Sequence, residues 1–337
     1  MRMSSRAIGV GTALAVAVAL RLTAAGDTRP AFQVRDIGTT VNQSGVGSDF
    51  VAMDGALYFV SSDGIHGSEL WRSDGTRAGT RMLKDLCPGI CSSTFYLLDM
   101  ETAVLRHRLY WTAWDGEHWV LVATDGTPEG TAPVFDADSA ASGRELIPFG
   151  EIGGEVLLSG LVPGQPGGEL WKTDGTEAGT VLLRTFRGSF PFSRPAPQGQ
   201  VGDVFLFSAE DGRPGTTLWR TDGTTEGTVR VFPDSLNDSL YIFPYGVAGG
   251  RLFFRADSGQ ARGIWVSDGT PAGTHPLRHN GFDTTSGTIA VLGDQVFFGG
   301  YDGAGRRVLW KSDGTDAGTG VVKELDALDA VIGEMAE

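Results

Sequence analysis

One seven-residue phrase, Asp-Gly-Thr-x-x-Gly-Thr, occurs six times in this chain. The copies begin at Asp74, Asp125, Asp174, Asp222, Asp268 and Asp313, spaced 45 to 51 residues apart. A period of that length points to stacked supersecondary units, each unable to bury its apolar faces alone. The rest of each unit repeats as well. Five copies carry a tryptophan three residues before the aspartate: Trp71, Trp171, Trp219, Trp265 and Trp310, with Val122 at that place in the second copy. Upstream of these lie short apolar runs such as Leu57-Tyr58-Phe59, Leu109-Tyr110-Trp111 and Leu252-Phe253-Phe254. β-branched and aromatic runs bounded by glycine and aspartate read as strands. Asp-Gly between two strands reads as a tight hairpin, because glycine accepts positive φ and aspartate tolerates it.

Each repeat thus offers about four strands. The first is a variable run such as Phe50-Val51-Ala52; then come the aromatic strand, the strand ending in the tryptophan, and a strand after Gly-Thr such as Arg81-Met82-Leu83. Four-stranded sheets of this length bury both faces when stacked radially. The expected fold is all-β, a β-propeller of six blades of about four antiparallel strands. An open solenoid is the competing architecture, but its coils are usually shorter. Fifty glycines and fifteen prolines suit such a turn-rich chain. Val34-Arg35-Asp36-Ile37 resembles the fourth-strand runs Leu83-Lys84-Asp85-Leu86 and Val322-Lys323-Glu324-Leu325, and is a candidate to complete the last blade.

Glu69-Leu70-Trp71-Arg72-Ser73-Asp74-Gly75-Thr76 and Glu169-Leu170-Trp171-Lys172-Thr173-Asp174-Gly175-Thr176 resemble the signature of the bacterial ELWxxDGT repeat family. The other four copies depart from it at the Glu or the Trp. The resemblance implies an exported, tandemly repeated β protein and brings no activity with it.

The N-terminus agrees with export. Arg2 and Arg6 precede an apolar run from Ala7 to Leu20, and Thr23 and Ala25 suit a small-residue cleavage site, although Arg21 sits awkwardly between them. The expected division is a signal peptide over 1–25, the repeat propeller over 26–325 and an acidic tail over 326–337. The mature chain is then expected to carry no membrane span. Leu325, Leu328, Ile332 and Met335 recur at helical spacing through that tail. Cys87 and Cys91 are the only cysteines; in an exported chain they are expected to form a structural disulfide. The formal charge of −14 argues against nucleic-acid binding, which needs basic surface.

The six turn aspartates are candidate calcium ligands, calcium being the one cofactor in view. Each turn, however, supplies a single carboxylate, and a residue present in every repeat more naturally serves the scaffold. The second repeat differs most: it gains Trp114 and Trp119 beside His107, Glu117 and His118. Trp114, Trp119 and His118 form the candidate ligand site, since aromatic faces with polar edges suit a sugar or aromatic ring. Repacking within a divergent blade is the plainer reading. His275 and His279 have metal-like spacing only on a helix, which is not expected there. No Gly-x-Ser-x-Gly elbow, His-Glu-x-x-His or phosphate loop appears, so no catalytic residue is assigned. The expected function is an exported, non-enzymatic binding module presenting a propeller surface to a glycan or protein ligand. The alternatives are a polysaccharide-acting hydrolase or lyase and a calcium-stabilised cell-surface adhesive protein.

Overall fold

In a computed structural model, residues 46–94, 102–135, 144–161, 166–188, 194–212, 215–232, 241–257, 263–277 and 289–325 are described. They form six four-stranded antiparallel sheets, spanning 46–82, 102–133, 145–185, 196–230, 241–276 and 289–324, and no helix. Every sheet is a simple meander, one repeat per sheet, consistent with a β-propeller. In sheet one the strands are Val46–Met53, Ala56–Ser62, Ser68–Ser73 and Arg81–Met82. The expected closing segment 34–37, the leader and the tail 326–337 lie outside the described residues. The fourth-strand position of sheet six is filled by its own Gly320–Glu324.

Register follows the repeat. Phe59 stands opposite Trp71, Leu158 opposite Trp171, Phe207 opposite Trp219, Phe254 opposite Trp265 and Phe298 opposite Trp310. Side chains alternate across a strand, so each such pair shares one face and the residues beside it share the other. In sheet two Trp111 stands opposite Val122. The indole missing from the third strand is supplied by the second, one step across the ladder and on the same face.

Those faces stack. The tryptophan-bearing face of each later sheet packs on the forward face of the sheet before it. Tyr58, Val60, Leu70 and Leu83 meet Leu109, Trp111 and Val120. Phe149, Leu157, Leu170 and Phe186 meet Phe205, Phe207 and Trp219, and Phe253, Ile264 and Leu277 meet Phe298, Val308 and Trp310. Sheets two and three, and four and five, join in the same way. All five repeat tryptophans are buried. Each large apolar side chain so buried contributes about 1.5–3 kcal/mol. The first strands of consecutive sheets lie against one another from Thr102–Leu105 through Glu145–Ile152, Ala196–Val201 and Tyr241–Ala248 to Ile289–Leu292.

The Asp-Gly-Thr-x-x-Gly-Thr phrase is the turn between third and fourth strands, and its atoms are bonded alike six times. In sheet three the Thr176 amide and hydroxyl donate to Asp174 Oδ1 at 2.9 and 2.7 Å. The Gly179 amide donates to Thr176 Oγ1 at 3.0 Å, and the Thr180 hydroxyl donates to the Thr176 carbonyl at 2.7 Å. The residue before the aspartate completes the set: Thr173 Oγ1 accepts from the Gly175 amide and lies 2.8 Å from Thr180 Oγ1. That residue is Ser73, Thr124, Thr173, Thr221, Ser267 or Ser312, a hydroxyl in every copy. The first glycine has φ between 84° and 92° in all six. The second glycine is required by space, since a Cβ at Gly179 would overlap the Asp174 carboxylate, and the same holds in the other five turns.

Gly179→Ala is therefore expected to destabilise the protein by about 1–3 kcal/mol, and more than the exposed change Glu177→Ala in the same turn. Urea denaturation of the two variants checks this.

Candidate functional site

In a meander, alternate turns lie at opposite ends of the sheet. The Asp-Gly-Thr turns and the turns between first and second strands share one end. The hairpins between second and third strands and the crossings to the next sheet share the other. This parity separates residues that are neighbours in sequence. His107 has φ 61° in a first turn and bonds Asp54 of sheet one at 2.7 Å. His118 lies in the hairpin at the opposite end, so the expected grouping of His107 with Trp119 and His118 is not formed.

Trp114, Trp119 and His118 do come together. Trp114 pairs directly with Trp119 across the closing rung of the hairpin. Their rings meet edge to face with centroids 5.5 Å apart. Trp114 is half-buried, Trp119 is 36% exposed, and His118 is exposed. The hairpin is held by Asp115, whose Oδ1 accepts from the Glu117 and His118 amides at 2.8 and 2.7 Å.

The hairpin stands on sheet one. Cys87 and Cys91 pair as a disulfide with Cα atoms 5.3 Å apart. A Cβ at Gly116 would lie 3.6 Å from Cys87 Sγ, and the Trp114 amide donates to the Ser93 carbonyl at 2.7 Å. The disulfide loop is itself anchored by a residue to which the sequence reading assigned no role. Glu69, fully buried, accepts from the Ser93 amide at 3.2 Å, the Leu86 amide at 3.4 Å and the Ser93 hydroxyl. Burial pushes its carboxyl up to about 7, against the lowering effect of those hydrogen bonds. The other motif glutamate, Glu169, is bonded differently, accepting from Arg144 Nε at 2.9 Å and Trp171 Nε1 at 2.8 Å. The signal available in the sequence was Glu at an inward-facing strand position in only two repeats. Apart from Trp171, its partners are 17 to 25 residues away, and Ser93 and Arg144 among them lie outside the repeated phrases.

The six turn aspartates are exposed or half-buried and stand one per sheet. Among the described residues no group of three or more His, Cys, Asp or Glu is arranged to hold a metal ion. Each aspartate spends Oδ1 on its own threonine. That threonine hydroxyl is the main influence holding Asp74, Asp125, Asp174, Asp222 and Asp313 below the usual carboxylate range. At Asp268 burial is the largest influence and opposes the shift, but the Thr270 hydroxyl and amide outweigh it. The repeat tryptophans do not form a ring of exposed, sugar-stacking faces, because all five are buried, four of them between sheets. Among the described residues no helix is long and apolar enough to cross a membrane.

No protein-family model matches the chain, and no curated relative matches it. Solved structures similar in fold include peptidases. Oligopeptidase B from Leishmania major is 15% identical with a TM-score of 0.51, over 88% of this chain and 42% of that one. A Mycobacterium tuberculosis puromycin-hydrolyzing peptidase is 14% identical with a TM-score of 0.47, over 83% and 45%. Prolyl oligopeptidase B from Galerina marginata is 10% identical with a TM-score of 0.47, over 80% and 40%. The chain spans less than half the length of these proteins. The likeness to oligopeptidase B corrects the functional expectation: it runs to a peptidase and gives no support to a glycan receptor, a polysaccharide-acting enzyme or an adhesive protein.

Two pH effects follow. The turn aspartates titrate lower folded than unfolded, so their stabilisation is present above about pH 4 and is lost as pH falls through their lowered values. Glu69 titrates higher folded than unfolded, so between the two values the folded chain holds a proton that the unfolded chain has released. Stability therefore falls as pH rises towards 7. The melting temperature is expected to decline from pH 5 to pH 8, and Glu69→Gln to flatten most of that slope while leaving the loss below about pH 4 in place. Calorimetry across pH on both proteins measures this.

Proposed function

We propose that the chain is a six-bladed β-propeller domain of the ELWxxDGT repeat type that serves a peptide-acting hydrolase, offering a scaffold to peptide and leaving the reacting groups to another domain or chain. The likeness to oligopeptidase B, which takes in 88% of this chain but only 42% of that enzyme, carries the reading. The portion of the peptidases that resembles this chain is their propeller. The side-by-side first strands support a radial arrangement with those strands innermost. The sequence, which holds none of the hydrolase signatures sought, suits a part that binds or positions rather than cleaves. The disulfide suits the export that the leader implies, because such bonds persist in oxidising compartments.

The Trp114–Trp119 hairpin is the strongest candidate for the peptide-facing surface. It lies at the end of the sheets that carries the crossings from one sheet to the next, where a propeller's variable loops gather. Asp115 and Glu117 beside the indoles favour peptides with basic side chains.

Fluorescence anisotropy with a panel of labelled oligopeptides tests the proposal, with mass spectrometry for cleavage. Saturable binding of a subset of peptides without cleavage is expected, weakened about tenfold by Trp119→Ala if the aromatic pair supplies roughly 1.4 kcal/mol. A panel on which no peptide saturates would refute it.

A further inference from the structure

The end of the sheets that carries the Trp114–Trp119 hairpin also displays aliphatic side chains. Among the described residues, only two exposed large apolar side chains lie outside strands: Ile65, 62% exposed, and Ile90, 87% exposed. Ile65 sits in the hairpin between the second and third strands of sheet one, the counterpart of the Trp114–Trp119 hairpin in sheet two. Ile90 sits in the loop closed by Cys87 and Cys91. Pro88 and Gly89, with φ 89° at the glycine, supply the bend of that loop, and the bend makes no demand for an apolar residue next to it. So exposed, Ile90 adds little burial energy to the fold.

The three tips are braced into one platform. A Cβ at Gly67 would overlap the Cys91 carbonyl and lie 3.0 Å from that of Ile90, so the Ile65 hairpin and the disulfide loop touch at their backbones. The Ser68 amide donates to Ser92 Oγ at 3.0 Å, and the Ser93 amide donates to the Ser68 carbonyl at 3.1 Å. The Ser93 carbonyl accepts from the Trp114 amide, which joins the loop to the hairpin of sheet two. Asp63 Oδ1 accepts from the Ile65 and His66 amides at 2.9 and 3.0 Å, just as Asp115 Oδ1 accepts from the Glu117 and His118 amides, so one kind of turn sets both hairpin tips. Apolar groups held in place in advance lose little freedom on binding.

The charge around them has one sign. Residues 63–67, 85–93 and 114–119 hold Asp63, Asp85, Asp115 and Glu117 and no lysine or arginine. The chain's own tail 326–337 carries Asp326, Asp329, Glu334 and Glu337 and no lysine or arginine, so like charge disfavours it as the occupant.

We infer that Ile65, Ile90 and Trp119 form one docking surface across sheets one and two, and that it takes a peptide segment whose aliphatic or aromatic side chains are flanked by lysine or arginine. The isoleucines and the indole cover the apolar side chains, and the flanking cations lie against the acidic rim. The disulfide thereby serves binding as well as stability, since the loop it closes presents Ile90 and supports the Trp114 hairpin. The inference rests on the peptide-binding reading and extends its surface from one hairpin to two sheets.

Fluorescence anisotropy with one labelled peptide, a short run of leucine and phenylalanine flanked by lysines, tests it. Ile90→Asn is expected to weaken binding about tenfold and to leave the melting temperature unchanged, because that side chain is so exposed. Ile65→Asn is expected to act in the same way, and Val321→Asn, on the fourth strand of sheet six, to change neither quantity. Glutamates in place of the lysines are expected to abolish saturable binding; undiminished affinity for that peptide would overturn the inference. Binding weakened by Trp119→Ala but untouched by both isoleucine variants would overturn it as well, and would leave the peptide-binding reading standing. So would failure of this peptide where others of the panel saturate, whereas failure of every peptide overturns both readings. A parent chain that sediments as a dimer and that Ile90→Asn makes monomeric would assign the surface to a second copy, against the inference.

Discussion

The turn carboxylate bonded to its own threonine is the interaction on which the rest of the architecture hangs. Asp174 Oδ1 holds Thr176 by both amide and hydroxyl, and Thr176 in turn holds Gly179 and Thr180. The hydroxyl of Thr173 ties this local turn to the end of the strand before it. One carboxylate thus fixes where the third strand stops and where the fourth begins. Because the first glycine of the turn also abuts the preceding sheet, a distortion at the turn is felt at the junction as well. The two glycines do different work, one accepting positive φ and the other yielding space to the carboxylate.

Packing between sheets then follows a single rule with informative exceptions. The forward face of one sheet receives the tryptophan face of the next. Where the second repeat has Val122, Trp111 provides the indole from the neighbouring strand, so the layer keeps its bulk while the residue moves. Trp114 and Trp119 lie beyond that layer, at the hairpin tip. They rest on a loop closed by the disulfide and pinned by a buried carboxyl. Burying Glu69 without a cation makes the proton its partner, which is why this support is sensitive to pH near neutrality.

The comparison with peptidases changes the meaning of these parts without changing the geometry. By sequence, a repeated scaffold with one divergent hairpin suggests a glycan or protein receptor. The similar solved structures place the same kind of sheet array within much longer peptide-acting enzymes. Fold likeness at this identity speaks to architecture, and the peptide surface proposed at Trp114 and Trp119 rests on residues found in one repeat of the six.

The sequence by itself determined the six-sheet plan, since the Asp-Gly-Thr phrase carries every group its turn needs within eight residues, and local hydrogen bonds require no distant partner. The strand order and the register of Phe59 with Trp71 or Phe298 with Trp310 follow from the same short hairpins. The tertiary structure decided what depends on direction and on distant segments. It set His107 and His118 at opposite ends, because successive turns of a meander point opposite ways. It buried the repeat tryptophans, four of them in the junctions between sheets, and it placed Glu69 beneath the disulfide loop. It also left Leu292 exposed and Phe297 and Leu309 half-buried, although their residue types match those of the buried faces. Whether an apolar face is covered depends on the neighbour that reaches it, and the repeat pattern does not encode that neighbour.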